Sequence, residues 1–424
     1  MPVNKGVEPL GFLMRNPQFG MLLVVNLVSS LVGAGVGIAL SVHLYQLTGS
    51  PIWTALLAAT PTVAGVAFGH LAGTVTDRWG TPLRIMRIAL FLRVLVLLTV
   101  FAVADSPIGL LCAVFAQAAI QQLYIPAEQV LIADYVTAED LVEANGLNSF
   151  ASNATRLVGP ALGGFTMGWA GFRWTVIGVT ALMLLSTLLS LLLRGSGRKT
   201  PTAGDAPEEG TGSTEGDGDG YLAIVRRSRR VRGLVLLQVL DAIREAPLSS
   251  LFPVLMLGVI GATSGQMGLV NSLFAVSALI AGPMIGTVVR RLGYRLPVLL
   301  GAAVSNAAIV VLMIWPSLPL ALIVFVVSGL PFTISWVGGQ TWLLLSTPLS
   351  LRGRIVGTTG AIYAGVSLVA MLASGVLAEW FGPRWVIGVG ASIALIGLIA
   401  IAALLAERRQ PTGTDQSAQA TSVM

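Results

Sequence analysis

Asp241, Arg244 and Glu245 are the residues of this sequence best placed to do chemistry. Spacings of three and four residues put them on one face of a helix, inside the apolar run 233–258. Counted along a helix from Arg232, Asp241 lies about 13 Å and Glu245 about 20 Å into that run. Two acids facing one base leave a carboxylate in excess, and in surroundings that alternate between dry and wet such a group takes up and releases a proton. A structural ion pair, with Arg244 neutralising one acid, is the alternative. Glu128, toward the end of another apolar run, is a further candidate proton carrier.

Other polar side chains are spread through the apolar runs. Asn26, Gln117, Gln121, Arg156, Gln238, Asn271, Trp336 and Gln340 are candidates for lining a substrate cavity, with bridging between helices as their other role. Arg156 is placed either to partner an acid or to hold an anionic substrate, and Arg93 reads as a snorkelling or packing arginine. Enzymatic chemistry finds no foothold: no nucleophile–base pair stands out, HExxH is missing, and the single cysteine, Cys112, allows no intrachain disulfide. Gly195-Ser-Gly-Arg-Lys-Thr lacks the first glycine of a phosphate-binding loop. No metal and no cofactor is expected.

The elements that must position these residues are membrane spans. Hydrophobic residues make up 55% of the 424 and charged ones 10%, against about 25% charged in a soluble domain. Runs long enough to cross lipid, about 20 residues each, occur at 19–46, 52–76, 83–104, 107–132, 142–168 and 172–193. Six more follow at 233–258, 264–289, 295–315, 318–345, 353–379 and 383–406. Basic residues gather on one set of connections, among them Arg15, Arg84, Arg194, Arg226, Arg232, Arg295, Arg408 and Arg409, while the opposite set holds little beyond Arg173 and Arg384. The positive-inside rule then puts both termini in the cytoplasm. Residues 195–232 read as a cytoplasmic linker: 200–220 carry acids and no bases, and Arg226 to Arg232 form a basic segment suited to anionic lipid headgroups, not nucleic acid. The chain divides into residues 1–194, the linker, residues 233–406 and a tail at 407–424.

The two large parts repeat each other. Gly69-x-x-x-Gly73-x-x-x-Asp77-Arg78-x-Gly80 returns as Gly282-x-x-x-Gly286-x-x-x-Arg290-Arg291-x-Gly293, and Phe172-Arg173-Trp174 returns as Pro383-Arg384-Trp385. Gly69, Gly73, Gly282 and Gly286 have the spacing of tight helix contacts. Gly73-x-x-x-Asp77-Arg78-x-Gly80-x-x-x-Arg84 resembles the loop signature of the major facilitator superfamily. Gly159-Pro160-x-x-Gly163-Gly164 resembles the antiporter motif of its proton-coupled drug exporters. Leu44 to Pro51, Ile125-Pro126-Ala127, Leu141 to Asn148 and Leu351 to Arg354 are similar to the macrolide-efflux and enterobactin-exporter branch.

The resemblance implies an all-α membrane protein of twelve transmembrane helices in two pseudo-symmetric six-helix bundles, with a substrate site between them. It also implies a secondary transporter of the inner membrane, coupled to protons, exporting a small amphipathic drug or secondary metabolite and working as a monomer. A siderophore-type exporter or an importer is the nearest alternative, and a receptor or scaffold without turnover the more distant one. Gly73, Asp77, Arg78, Gly80, Arg84, Glu139, Asp140, Arg290, Arg291, Arg352 and Arg354 are the gating candidates. Their charges cross between the halves, so pairing would close the cytoplasmic end and separation would open it.

A segment that buries nothing can be removed. Deleting residues 200–220 is therefore expected to leave protein abundance and transport near the full-length level, measured side by side in membrane vesicles. Loss of transport at normal abundance would show that the linker has a working role.

Overall fold

The computed structural model describes residues 9–79, 81–137, 139–195, 225, 228–348 and 351–405. A short helix, α1 (Pro9–Arg15), precedes the long ones: α2 (Pro17–Thr48), α3 (Pro51–Trp79), α4 (Pro82–Ala102), α5 (Pro107–Tyr135) and α6 (Leu141–Leu192). After the linker come α7 (Arg229–Pro253), α8 (Ser264–Leu292), α9 (Arg295–Ile314), α10 (Leu318–Leu345), α11 (Arg352–Phe381) and α12 (Pro383–Leu404). Proline opens five of the long helices, at Pro17, Pro51, Pro82, Pro107 and Pro383, where its fixed φ suits the first turn and its missing N–H is not needed. Helix edges therefore fall within a few residues of those read from the sequence.

Among the described residues eleven helices are long and apolar enough to cross a membrane. One of them, α6, is two helices meeting at Gly171, whose φ of 76° and ψ of 177° break the helical run. Only glycine adopts that backbone cheaply. The two spans expected there are thus joined by a single residue. His43 of α2 clamps the joint, stacking on Phe172 with ring centroids 3.6 Å apart and placing Nε2 3.0 Å from the Ala104 carbonyl.

Arginine ties helix ends together in both halves. Arg87 at the start of α4 donates to the carbonyls of Ser190 and Leu193 at the end of α6, at 3.1 and 2.7 Å. In the second half Arg295, at the start of α9, donates to Ala402 at the end of α12, at 3.2 Å. The last carbonyls of a helix have no internal partner and carry its negative pole. The same device at matching places repeats in three dimensions what the motifs repeat in sequence.

Among the described residues the halves meet at one end. Along α6 and α8 the glycines face one another: a methyl group on Gly164 would stand 2.7 Å from the Cα of Gly268, and Gly168 lies as close to Gly265. Gly375 of α11 packs so tightly on α3 that its methyl would sit 2.6 Å from the Ala55 Cβ. An apolar plug fills the space between, with Ala39, Val42 and Met167 of the first half packed among Leu251, Leu255, Met256 and Met267 of the second. At the arginine-rich end nothing lies within 4 Å of a methyl built on Gly146, Gly282, Gly353 or Gly357. Gly282 and Gly286 therefore do not make the tight helix contacts that their spacing suggests; the close-approach role belongs to Gly164, Gly168, Gly265 and Gly268.

Overpacking that contact tests its weight. Gly268→Leu forces α8 away from α6 and is expected to cost about 1–3 kcal/mol, seen as a lower thermal midpoint of the purified protein. In a Cys112→Ser background, a cysteine at Val42 should label faster when Gly268→Leu is added, because the plug it sits in loosens. Unchanged midpoint and labelling would show that the glycines are spacers without a closing role.

Candidate functional site

The charged face of α7 looks into the space between the halves. Ser228 caps this helix by accepting a hydrogen bond from the Val231 N–H at 3.3 Å, and about three turns on come Gln238, Asp241, Arg244 and Glu245. Arg244 is buried, yet Glu245, its immediate neighbour, keeps a side-chain exposure of 37%. Arg244 Nη2 lies 2.9 Å from Glu245 Oε2, although its N–H bonds do not align with that oxygen and its Nε has no acceptor. The other face of the guanidinium rests on Phe332, 4.9 Å from the ring centroid. An ion held by one carboxylate and one aromatic face is only part-compensated in a dry setting.

Helical spacing favours the pair Asp241 and Arg244, three residues apart, but Arg244 turns to its neighbour instead. The carboxylate left over is therefore the buried one. Asp241 makes no hydrogen bond and no ion pair within 4 Å among the described residues. Arg244 and Glu245 line a cavity of about 220 Å³ together with Asn271, Phe274 and Phe332, and with Ile38 and Pro160 from the first half. An aromatic wall continues from Phe332 to Trp336 and on to Tyr363 of α11, with centroids 6.5 and 5.2 Å apart.

The neutral candidates divide. Asn271 and Trp336 stand at this cavity or its wall. Gln238 and Gln340 bond each other, Nε2 to Oε1 at 3.2 Å, and so bridge α7 and α10. Asn26 belongs to a chain across α2, α5 and α6: the Tyr124 hydroxyl donates to Asn26, Asn26 donates to Asn148 Oδ1 at 3.2 Å, and Asn148 donates to Glu128 Oε1 at 2.8 Å. Among the described residues Glu128 is thus satisfied by an amide and not by a cation.

Of its two expected roles, Arg93 takes the packing one. It is the twelfth residue of the 21 in α4, about 16 Å from one end and about 14 Å from the other, too deep for snorkelling. Its Nε donates to Gln117 Oε1 at 3.0 Å and its Nη1 to Ser29 Oγ at 2.7 Å, while Gln117 returns a bond to the Arg93 carbonyl at 2.8 Å. Together with Gln121 these residues border a second cavity, of about 510 Å³, inside the first half. The mid-span position was visible in the sequence and should have marked Arg93 as a candidate.

The gating candidates lie at the open end. Arg84, Glu139, Arg290 and Arg291 are exposed and Asp140 is half-buried. Arg290 donates to Thr287 Oγ1 and Arg352 to the Thr347 carbonyl, each at 3.3 Å. Among the described residues no ion pair joins Glu139 or Asp140 to Arg290 or Arg291, as separation of the halves requires. Arg354 is exposed on the same end. Gly80 and the side-chain surroundings of Gly73, Asp77, Arg78 and Arg156 lie outside the described residues.

This architecture has relatives. A family model described as Major Facilitator Superfamily matches residues 22–240 and 234–423. An uncharacterized MFS-type transporter of Bacillus subtilis (strain 168), YfiS, is 24% identical over 400 residues, spanning 92% of this chain and 94% of its own. The solved nucleoside transporter NupG superposes with a TM-score of 0.71 at 14% identity, covering 92% of this chain and all of its own (100%). A bacterial homologue of the iron transporter ferroportin, in an inward-facing state, gives 0.70 at 16% identity over 91% of this chain and 98% of its own.

The amide chain of the first half has a testable weight. Asn148→Leu strands Glu128 and Asn26 together, and is expected to destabilise the protein by about 1–3 kcal/mol. Adding Asn26→Leu should cost less than the sum of the single changes, because both act on one network. Thermal midpoints of the three variants provide the measurement, and strict additivity would show that the chain is not a unit.

Proposed function

Because the chain belongs to the Major Facilitator Superfamily, a class of non-enzymatic transporters, we propose that this secondary transporter is a proton-coupled exporter of small amphipathic compounds. Twelve helices in two six-helix bundles rock about a site at mid-membrane, in the manner of the macrolide-efflux and enterobactin-exporter branch. The arginine-rich end is the cytoplasmic one by the positive-inside rule. The conformation described above is then inward-facing, with both termini on the open side, and one chain suffices for the cycle.

One observation carries the coupling. Arg244 is occupied by Glu245, and the buried Asp241 beside it has no hydrogen bond and no ion pair within 4 Å among the described residues. A proton on Asp241 leaves that arrangement undisturbed. Its departure gives Arg244 a second carboxylate to serve, so the pairing on α7, and with it the wall of the cavity, depends on protonation. The aromatic wall and the apolar plug suit a bulky amphipathic cargo. At the cytoplasmic end Asp77 with Arg352 or Arg354, and Glu139 and Asp140 with Arg290 and Arg291, form the pairs that close the gate when the halves rock together. Glu128 is the reserve proton carrier.

Reconstituted vesicles test this reading. Asp241→Asn should reduce uphill accumulation to the passive level, while exchange down a gradient survives, because the amide keeps the shape and removes the titration. Glu245→Gln strands Arg244 and should lower abundance as well, so protein level is measured in parallel. If both variants remain abundant and still accumulate substrate against a gradient, coupling resides elsewhere.

A further inference from the structure

Two arginines are buried among the described residues, Arg93 and Arg244, each 4% exposed. Arg244 has Glu245 beside it. Among the described residues Arg93 has no carboxylate within 4 Å and no helix end, and its hydrogen-bond partners are the neutral Gln117 and Ser29. Glu128, on the same helix as Gln117, is eleven residues further along, about 16 Å, and is turned toward Asn148. Among the described residues a full positive charge is therefore held near the middle of α4 without a counter-charge, at a cost that a purely structural role does not repay.

The geometry also leaves room for the missing partner. Gln117 takes Nε and Ser29 takes one proton of Nη1, which leaves the edge formed by the two Nη atoms. Gly33 faces that edge, and a methyl group there would stand 3.3 Å from Nη2. The cavity beyond is bordered by Ser30, Pro61, Val114 and Gln121, an apolar body with a few polar points. A guanidinium edge fixed from behind is shaped for the two oxygens of a carboxylate. One uncompensated charge matches a monoanion.

We propose that Arg93 anchors the carboxylate of an amphipathic organic acid, with the apolar part of the molecule lying against Pro61 and Val114. The proposal rests on the transport reading and names the chemical class of its cargo. Gln117 is a positioning residue, holding the guanidinium so that its free edge faces the cavity.

Binding to the purified full-length protein in nanodiscs tests this, with benzoate, 2-naphthoate and deoxycholate each compared with its methyl ester. At least one acid should bind the wild type roughly tenfold more tightly than its ester, as a charge-assisted pair requires. Arg93→Gln should erase that preference and Arg93→Lys should keep part of it. Should Arg93→Gln fail to fold, Gly33→Leu is the second variant: it retains the charge, fills the space beside Nη2 and should also erase the preference. Equal binding of acid and ester, no binding of any of the acids, or a preference unchanged in the folded variants would overturn the proposal. Binding is read without turnover, so a protein that binds acids but moves none of them fails the transport reading alone. Transport of the esters with no preference for acids fails this one alone.

Discussion

Charge cannot be left unanswered where water is scarce, and most of the arrangement of this molecule follows from how each ion is answered. Arg87, Arg295 and Arg384 end on carbonyls at helix termini, the last on Met313 and Ile314. These contacts fix which helix ends adjoin, because a cation at a C-terminal pole satisfies two groups at once. Deeper in the membrane no helix ends are at hand, and other solutions appear: a carboxylate and an aromatic face for Arg244, an amide chain for Glu128. The groups whose charge is least fully answered, Asp241, Arg244 and Arg93, lie on the charged face of α7 or border a cavity.

Lipid provides no hydrophobic drive between helices, so association depends on how closely backbones approach. The α6–α8 contact through Gly164, Gly168, Gly265 and Gly268 meets that condition. Its position near one end determines the conformation, for two bundles touching at one end must gape at the other. Among the described residues no ion pair joins Glu139 or Asp140 to Arg290 or Arg291 at the gaping end, and the plug of methionine and branched side chains supplies the seal at the other. Packing and state are thus one fact seen at two ends.

The sequence made the spans legible because proline and basic residues punctuate them. Even the α5–α6 boundary and the Gly171 joint were anticipated to within a few residues. Conformation was not legible: Gly282 and Gly286 have the same spacing as a contact motif whether or not the facing helix is near. Nor was the choice made by Arg244, since adjacent residues on a helix point apart and only the cavity beside Glu245 draws the two ends together. Of the two readings of Arg93, packing holds and snorkelling does not, and the sequence alone did not choose between them. Depth along α4, counted in turns, carried the information that composition did not.

Gly171 has a mechanical meaning as well. A hinge between α6's two arms would need slack residues, and there are none; one glycine makes the turn and the His43–Phe172 stack braces it. The first arm, which bears the contact with α8, is thereby rigidly geared to the second, whose far end Arg87 locks to α4. Any tilt at the glycine seam is transmitted to the whole first half as a lever turns about its fulcrum. From the seam to the other end the arm is about 40 Å long, so a rotation of roughly 10° sweeps its tip through about 7 Å. That stroke is more than half the width of a helix, about 10–12 Å with its side chains.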